Sequence, residues 1–248
     1  MSRDVVVIKL GGSVLTGRQA YRRAAGFLAD RVARDPGTRI IAVVSAEIGV
    51  TDALLATACE IADRPDPATL DLLWSTGELR SAALLTLTLQ ARGVSAAALN
   101  VHQAGLVKAD TRGGAPGNAK VRALRVLALV SQYDVIVAPG FLARGAGDAV
   151  VSLGRGGSDL TAVLLAAGLG ARRCELLKDV PGYFTADPKR DPHARPLATL
   201  SYERAIAMAD SGCELVQPLA LRAAREHRVP LVVSTMEDSA RTTINADY

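Results

Sequence analysis

The sequence predicts an α/β fold, a three-layer α/β/α sandwich around a mainly parallel central sheet, and three observations carry that prediction. Short β-branched and aliphatic runs alternate with amphipathic stretches at helical spacing, the order of linked β-α-β units. The strand runs are apolar without polar alternation, as expected of strands covered on both faces. Such runs lie near both ends of the chain, so one sheet gathers both halves and residues 1–248 are expected to form a single domain.

Taken in order, "VVVIKLGGS" (5–13) is a strand closed by glycines, "AYRRAAGFLADRVAR" (20–34) a helix and "RIIAVVSA" (39–46) a second strand. Helices are predicted over "VTDALLATACEIA" (50–62) and "TGELRSAALLTLTLQARG" (76–93), and a strand over "VSAAALNV" (94–101). "NAKVRALRVLALVSQ" (118–132) reads as a helix or a helix plus a strand, and "YDVIVAPGF" (133–141) as a strand running into a glycine turn. A helix follows from Asp159, then a strand in "RCELLKDV" (173–180), helices in "SYERAIAMADSG" (201–212) and "LALRAAREH" (219–227), and a strand in "VPLVVSTM" (229–236). The proline-rich stretches "RPDPATLD" (64–71) and "ADPKRDPHARP" (186–196) are expected to be exposed loops.

Composition narrows the function. The formal charge of +4 is spread without a long basic run and only 4% of residues are aromatic, which disfavours a nucleic-acid surface and leaves small anions as the better fit. Cys59, Cys174 and Cys213 are odd in number, far apart and free of CxxC spacing, against a disulfide framework or a structural zinc site. A reducing cytoplasm is the expected compartment, since neither a leader pattern nor a bilayer-length apolar run is present.

Four short stretches carry candidate chemistry. In "IKLGGSVLTG", Lys9 ends the first strand and Gly11–Gly12 let the backbone approach a phosphate; a tight turn with an exposed lysine is the alternative. "GRGGSD" (154–159) sets Arg155, Gly156, Gly157, Ser158 and Asp159 at a helix start, where unpaired N–H groups attract anions and arginine can clamp a carboxylate or phosphate. A glycine turn capped by Ser158 or Asp159 is its ordinary counterpart. "LLKDVPGYFTADP" carries Lys178 and Asp179 at a strand end, then Tyr183, Phe184, Asp187 and Pro188 in a loop suited to a nucleobase, or equally a β-turn with packing aromatics. Glu78 in "STGE" reads as a first-turn helix residue, for which dipole chemistry is the commoner explanation.

Together, KLGGS, "VVSAEIGVTDALL" (43–55), "STGELRSAALL" (75–85), GRGGSD, "DVPGYFTADP" and "LSYERAIAMADSGCELVQP" resemble, in this order, the catalytic domain of aspartokinases in the amino acid kinase superfamily. The resemblance spans nearly the whole chain. It implies ATP-dependent phosphorylation of a carboxylate, with Mg²⁺ held by phosphates and water rather than by protein side chains, in a homodimer. It further implies an amino acid side over about 1–145 and a nucleotide side over about 146–248. By the same resemblance, Lys9 and Asp159 would be catalytic, and Ser13, Ser45, Glu78, Arg155, Gly156, Gly157 and Ser158 would hold the amino acid. Lys9, Gly11, Gly12, Lys178, Asp179, Tyr183, Phe184, Asp187, Pro188 and Lys189 would border the nucleotide. No base pair is expected, because a carboxylate nucleophile is already ionised at neutral pH; His102, His193 and His227 are expected at the surface. The chain departs from the pattern at Leu10 and Ser13, at Lys178, where threonine is common, and at Glu214, where a lysine is usual and a glutamate would repel phosphates. The length leaves no room for paired ACT domains, so feedback through them is not expected. A kinase for another small acid and a non-catalytic nucleotide-binding subunit are the alternatives.

Overall fold

The computed structural model describes residues 4–108, 119–154, 156–188, 190–237 and 240–246. The chain runs β1 (Asp4–Leu10), α1 (Arg18–Arg34), β2 (Thr38–Val44), α2 (Val50–Ile61), α3 (Pro67–Gln90), β3 (Ala96–Ala98), α4 (Val101–Ala104), β4 (Leu106–Lys108) and β5 (Ala119–Val121). It continues through α5 (Leu124–Val130), β6 (Val135–Pro139), β7 (Leu142–Arg144), β8 (Val150–Ser152), α6 (Gly157–Leu169), β9 (Arg173–Leu177), β10 (Thr199–Ser201), α7 (Tyr202–Asp210), α8 (Pro218–Glu226), β11 (Leu231–Ser234) and β12 (Arg241–Asn245).

The main sheet has the order β10-β12-β11-β9-β1-β2-β6-β3. Pairing is parallel from β11 to β3, while β12 runs antiparallel to β11 and carries β10 with it. Side-chain alternation along β1 divides the core in two. Val6, Ile8 and Leu10 meet Tyr21, Ala24 and Leu28 of α1 and Leu85 and Leu89 of α3. Val5 and Val7 face the opposite layer, where Leu160, Val163 and Leu164 of α6 and Leu221 of α8 pack. Each fully buried leucine here stabilises the fold by roughly 1.5–3 kcal/mol. Lys9, one residue beyond Ile8, falls by the same alternation on the α6 face. The predicted sandwich is therefore present, and its pleat aims the lysine.

Several local readings change. "RPDPATLD" is not a loop throughout: α3 begins at Pro67, because the Asp66 side chain accepts the Thr69 N–H at 2.8 Å and proline suits the first helical turn. The "VSAAALNV" strand shortens to β3, since Asn100 and Gln103 form a capping box that starts α4. "NAKVRALRVLALVSQ" divides into β5 and α5. A second, four-stranded sheet, β5-β4-β7-β8, was not foreseen; its short strands lack a clear alternation. No helix among the described residues is long and apolar enough to cross a membrane. The three cysteines are free thiols.

Candidate active site

Because β1, β2, β6, β9 and β11 are parallel and in register, the segments that follow them emerge at one edge of the sheet. That edge is where open parallel sheets hold ligands. Gly11–Gly12, Ser45–Ala46, Gly140–Phe141 and Lys178–Asp179 all leave from it.

Asp159 lies in the first turn of α6, only 3% exposed, between two ammonium groups: Lys9 Nζ is 2.9 Å from Oδ1 and Lys178 Nζ is 2.8 Å from Oδ2. Burial by itself would raise the Asp159 carboxyl, but the two lysines outweigh it and hold the group at about 2. Burial lowers Lys178 in turn, with Lys9 adding to the effect and Asp159 opposing it. One carboxylate between two ammonium groups leaves a single net positive charge at the α6 N-terminus, where the helix dipole adds to the attraction for anions. The helix cap is Gly156, in the left-handed region at φ 77°, without a side-chain cap bond. Ser158 and Asp159 are thus first-turn residues rather than caps.

Opposite stands Glu78, 4% exposed and in the middle of α3 rather than at its start. Its Oε1 accepts the Ala46 N–H at 3.2 Å, while its Oε2 is buried and meets no hydrogen-bond partner among the described residues. Burial raises its carboxyl from 4.5 to about 7, against the lowering by the backbone bonds. A buried carboxylate oxygen without a donor is costly, and a cationic ligand would satisfy it.

Glu78 and the lysine–aspartate group open onto one cleft of about 280 Å³, which Ser45, Gly156, Gly157 and Ser158 also line. Sequence reasoning missed four more of its residues, Ala46, Thr51, Phe141 and Gln217. Gly156 has no substitute there, because any Cβ would collide with the Gln217 side chain. Gly140 lets β6 end against α6, its missing Cβ falling 2.7 Å from that of Ser158. Gly12 is similarly closed against the Ala46 carbonyl, and a Cβ on Gly11 would stand 3.5 Å from Lys9 Nζ. The loop carrying Ser45 is pinned by Glu47, which accepts the Gly17 N–H at 3.1 Å and pairs with Arg80 at 2.6 Å. The Tyr21 hydroxyl lies 3.1 Å from both Glu47 Oε1 and Ser81 Oγ.

Other sequence candidates fall elsewhere. Ser13 is exposed and lines a larger neighbouring groove of about 920 Å³ beside α1, together with Asp179; Lys178 lines both spaces. Tyr183 moves from the nucleotide border to the core: it is 1% exposed and its N–H donates to Thr242 Oγ1 at 2.8 Å. Gly182 turns the chain at a positive φ of 137° just before it, and burial raises the Tyr183 hydroxyl. Phe184 is half-buried and bridges to Pro196, and Asp187 and Pro188 are exposed; none of the three lines either space. Arg155 and Lys189 lie outside the described residues. Glu214 is exposed and away from the cleft, as are His102, His193 and His227.

The fold and site together define an α/β protein with an anion-holding helix terminus facing a buried acid across one cleft. The chain belongs to the amino acid kinase family, whose sequence profile matches residues 4–234. It is 37% identical to the aspartokinase of Thermus thermophilus over 92% of this chain and 56% of that one. Among solved structures it is similar to aspartate kinase from Synechocystis (TM-score 0.85, 32% identity, 97% of this chain and 40% of that one). It is also similar to E. coli aspartokinase III in complex with aspartate and ADP (TM-score 0.82, 27% identity, 98% and 65%). The chain spans somewhat more than half the length of the curated aspartokinases it matches.

Proposed function

We propose that this chain transfers the γ-phosphoryl group of ATP to the side-chain carboxylate of L-aspartate, giving 4-phospho-L-aspartate and ADP. The observation that carries the reading is the cleft with two unlike walls, a lysine-bound aspartate on one and a glutamate with one unpartnered oxygen on the other. The aspartate and ADP held by the E. coli relative support it.

In this reading a carboxylate oxygen bonds to the γ-phosphorus as the bond to the β,γ-bridging oxygen breaks, and ADP keeps that electron pair. Two anions must meet, so charge screening rather than proton transfer is the task. Lys9 contacts the transferring group, Gly11 and Gly12 present N–H groups to the phosphates, and Asp159 fixes both lysines. Glu78 receives the amino acid's ammonium group, while Ser45, Gly156, Gly157, Ser158 and Arg155 surround its α-carboxylate. Ser13, Lys178 and Asp179 border the nucleotide. Glu78 and Ser45 belong to the amino acid side, residues about 1–145, and the α6 start and Lys178 to the nucleotide side. Among the described residues no group of three or more His, Cys, Asp or Glu could hold a metal, and both Asp159 oxygens are engaged by lysines. In this reading Mg²⁺ enters as MgATP, on phosphate oxygens and water. A cytoplasmic homodimer completes the proposal.

ADP release and hydroxamate trapping across aspartate, glutamate, an N-acetylated amino acid and carbamate test it. Turnover with aspartate is expected; none at millimolar aspartate rejects that substrate. Gln217 in the cleft wall, three residues after the departure from the aspartokinase pattern at Glu214, favours a kinase for another small acid as the second reading.

A further inference from the structure

Phe141 is the one aromatic among the described residues of the cleft wall, and its backbone is held at φ 68°, in the left-handed region. For a residue with a Cβ that conformation is strained and persists only where the surroundings fix it. Those surroundings are visible. The Phe141 N–H donates to Thr161 Oγ1 at 3.1 Å, and its carbonyl accepts the Leu153 N–H at 2.7 Å. Gly157, at the start of α6, lies so close that a Cβ there would stand 3.1 Å from the Phe141 ring. A further neighbour is Trp74, whose ring meets that of Phe141 edge-on, with centroids 6.0 Å apart and planes at 66°.

Trp74 is four residues before Glu78 on α3, so the two side chains share a helix face. The indole Nε1 is buried and finds no acceptor among the described residues. An indole placed only to fill space would gain by turning its N–H to water or a carbonyl. Here the ring keeps its edge contact with Phe141 instead.

We propose that Trp74 is a positioning residue for the amino acid substrate: it braces Phe141 in its left-handed conformation, so that the phenyl ring closes the cleft beside Glu78. The inference rests on the kinase reading for the identity of the ligand. Trp74 does not line the cleft, so it acts through Phe141. Aromatic edge contacts are worth about 0.5–1.5 kcal/mol, which sets a KM effect of roughly threefold to tenfold.

Trp74 is the chain's sole tryptophan, so emission excited selectively at the indole reports on the surroundings of Trp74 and on no other tryptophan. The experiment titrates wild-type protein with each acid of the panel and MgATP, and compares steady-state kinetics of Trp74→Ala and Trp74→Phe. The expected result is a saturable change in emission with the acid that is turned over and none with MgATP alone. Trp74→Ala should raise that acid's KM about threefold to tenfold with MgATP KM and kcat within about twofold, and Trp74→Phe should restore most of the loss. If Trp74→Ala does not fold, the wild-type titration and Trp74→Phe decide. Turnover of an acid with unchanged emission and unchanged KM in the variants, or equal shifts in both KM values, overturns the proposal and leaves the kinase reading intact. The full pattern with an acid other than aspartate overturns only the aspartate assignment, and silence across the panel with no turnover overturns both.

Discussion

The two walls of the cleft each bury one carboxylate, yet they treat it in opposite ways. Asp159 has an ammonium group on each oxygen and is held at about 2, so its charge is settled within the protein. Glu78 has one backbone donor and an unpartnered oxygen, and burial holds it at about 7. The difference separates a group that organises the site from one that awaits a ligand. Asp159 fixes two lysines whose surplus charge faces phosphate, whereas Glu78 keeps an unmet demand for a cation, which an amino acid's ammonium group supplies.

The contrast is broken most severely at Lys9. Replacing it with alanine removes one of Asp159's partners and the ammonium group at the transferring phosphoryl, and turnover should fall by about a thousandfold or more in an ADP-release assay. A Lys9→Ala protein with near-normal kcat would leave the phosphate wall without a catalytic part.

Asp159→Asn tests the settled carboxylate through stability. Two buried lysines would lose their shared counter-ion, at a cost of about 3–5 kcal/mol in urea unfolding. The sign of the pH dependence is fixed by the lowered carboxyl. The wild type holds the full contribution above about 3.8 and loses it as pH falls through about 2, and the variant has none to lose.

A smaller effect, of opposite sign, is expected at Glu78. Its raised carboxyl means that folding favours the protonated form, so the wild type loses stability as pH rises from 4.5 through about 7. Glu78→Gln abolishes that loss, and thermal melts should show the variant gaining on the wild type between about pH 4.5 and 7 and keeping the gain above. Its amino acid KM should rise about tenfold or more with little change for MgATP, because only the acid's ammonium group loses a partner. Gain in stability with loss of binding in one variant is the signature of a ligand-directed charge.

The sheet and its order of helices were legible because strands buried on both faces leave unbroken apolar runs and α1, α7 and α8 keep amphipathic spacing. Lys9, Gly11, Gly12 and the glycine-rich start of α6 were legible because backbone approach and unpaired N–H groups require particular residue types at fixed offsets. Glu78 was misplaced to a helix start because the prolines of "RPDPATLD" suggested a loop; Asp66 followed by Pro67 was a start signal for α3 all along. Tyr183 was misjudged because a loop sequence does not say which of two adjacent aromatics turns inward. The Lys178–Asp159 pair and the approach of Gln217 to Gly156 arise from long-range packing, which no local pattern encodes.

The most direct measurement is the titration of the Glu78 side-chain carboxyl by ¹³C NMR, assigned with Glu78→Gln, with and without L-aspartate. The account predicts a midpoint near 7 in the free protein, as burial dictates, and a lower midpoint once an ammonium group occupies the cleft. A Glu78 that titrates near 4.5 and does not respond to any acid the protein turns over would contradict it.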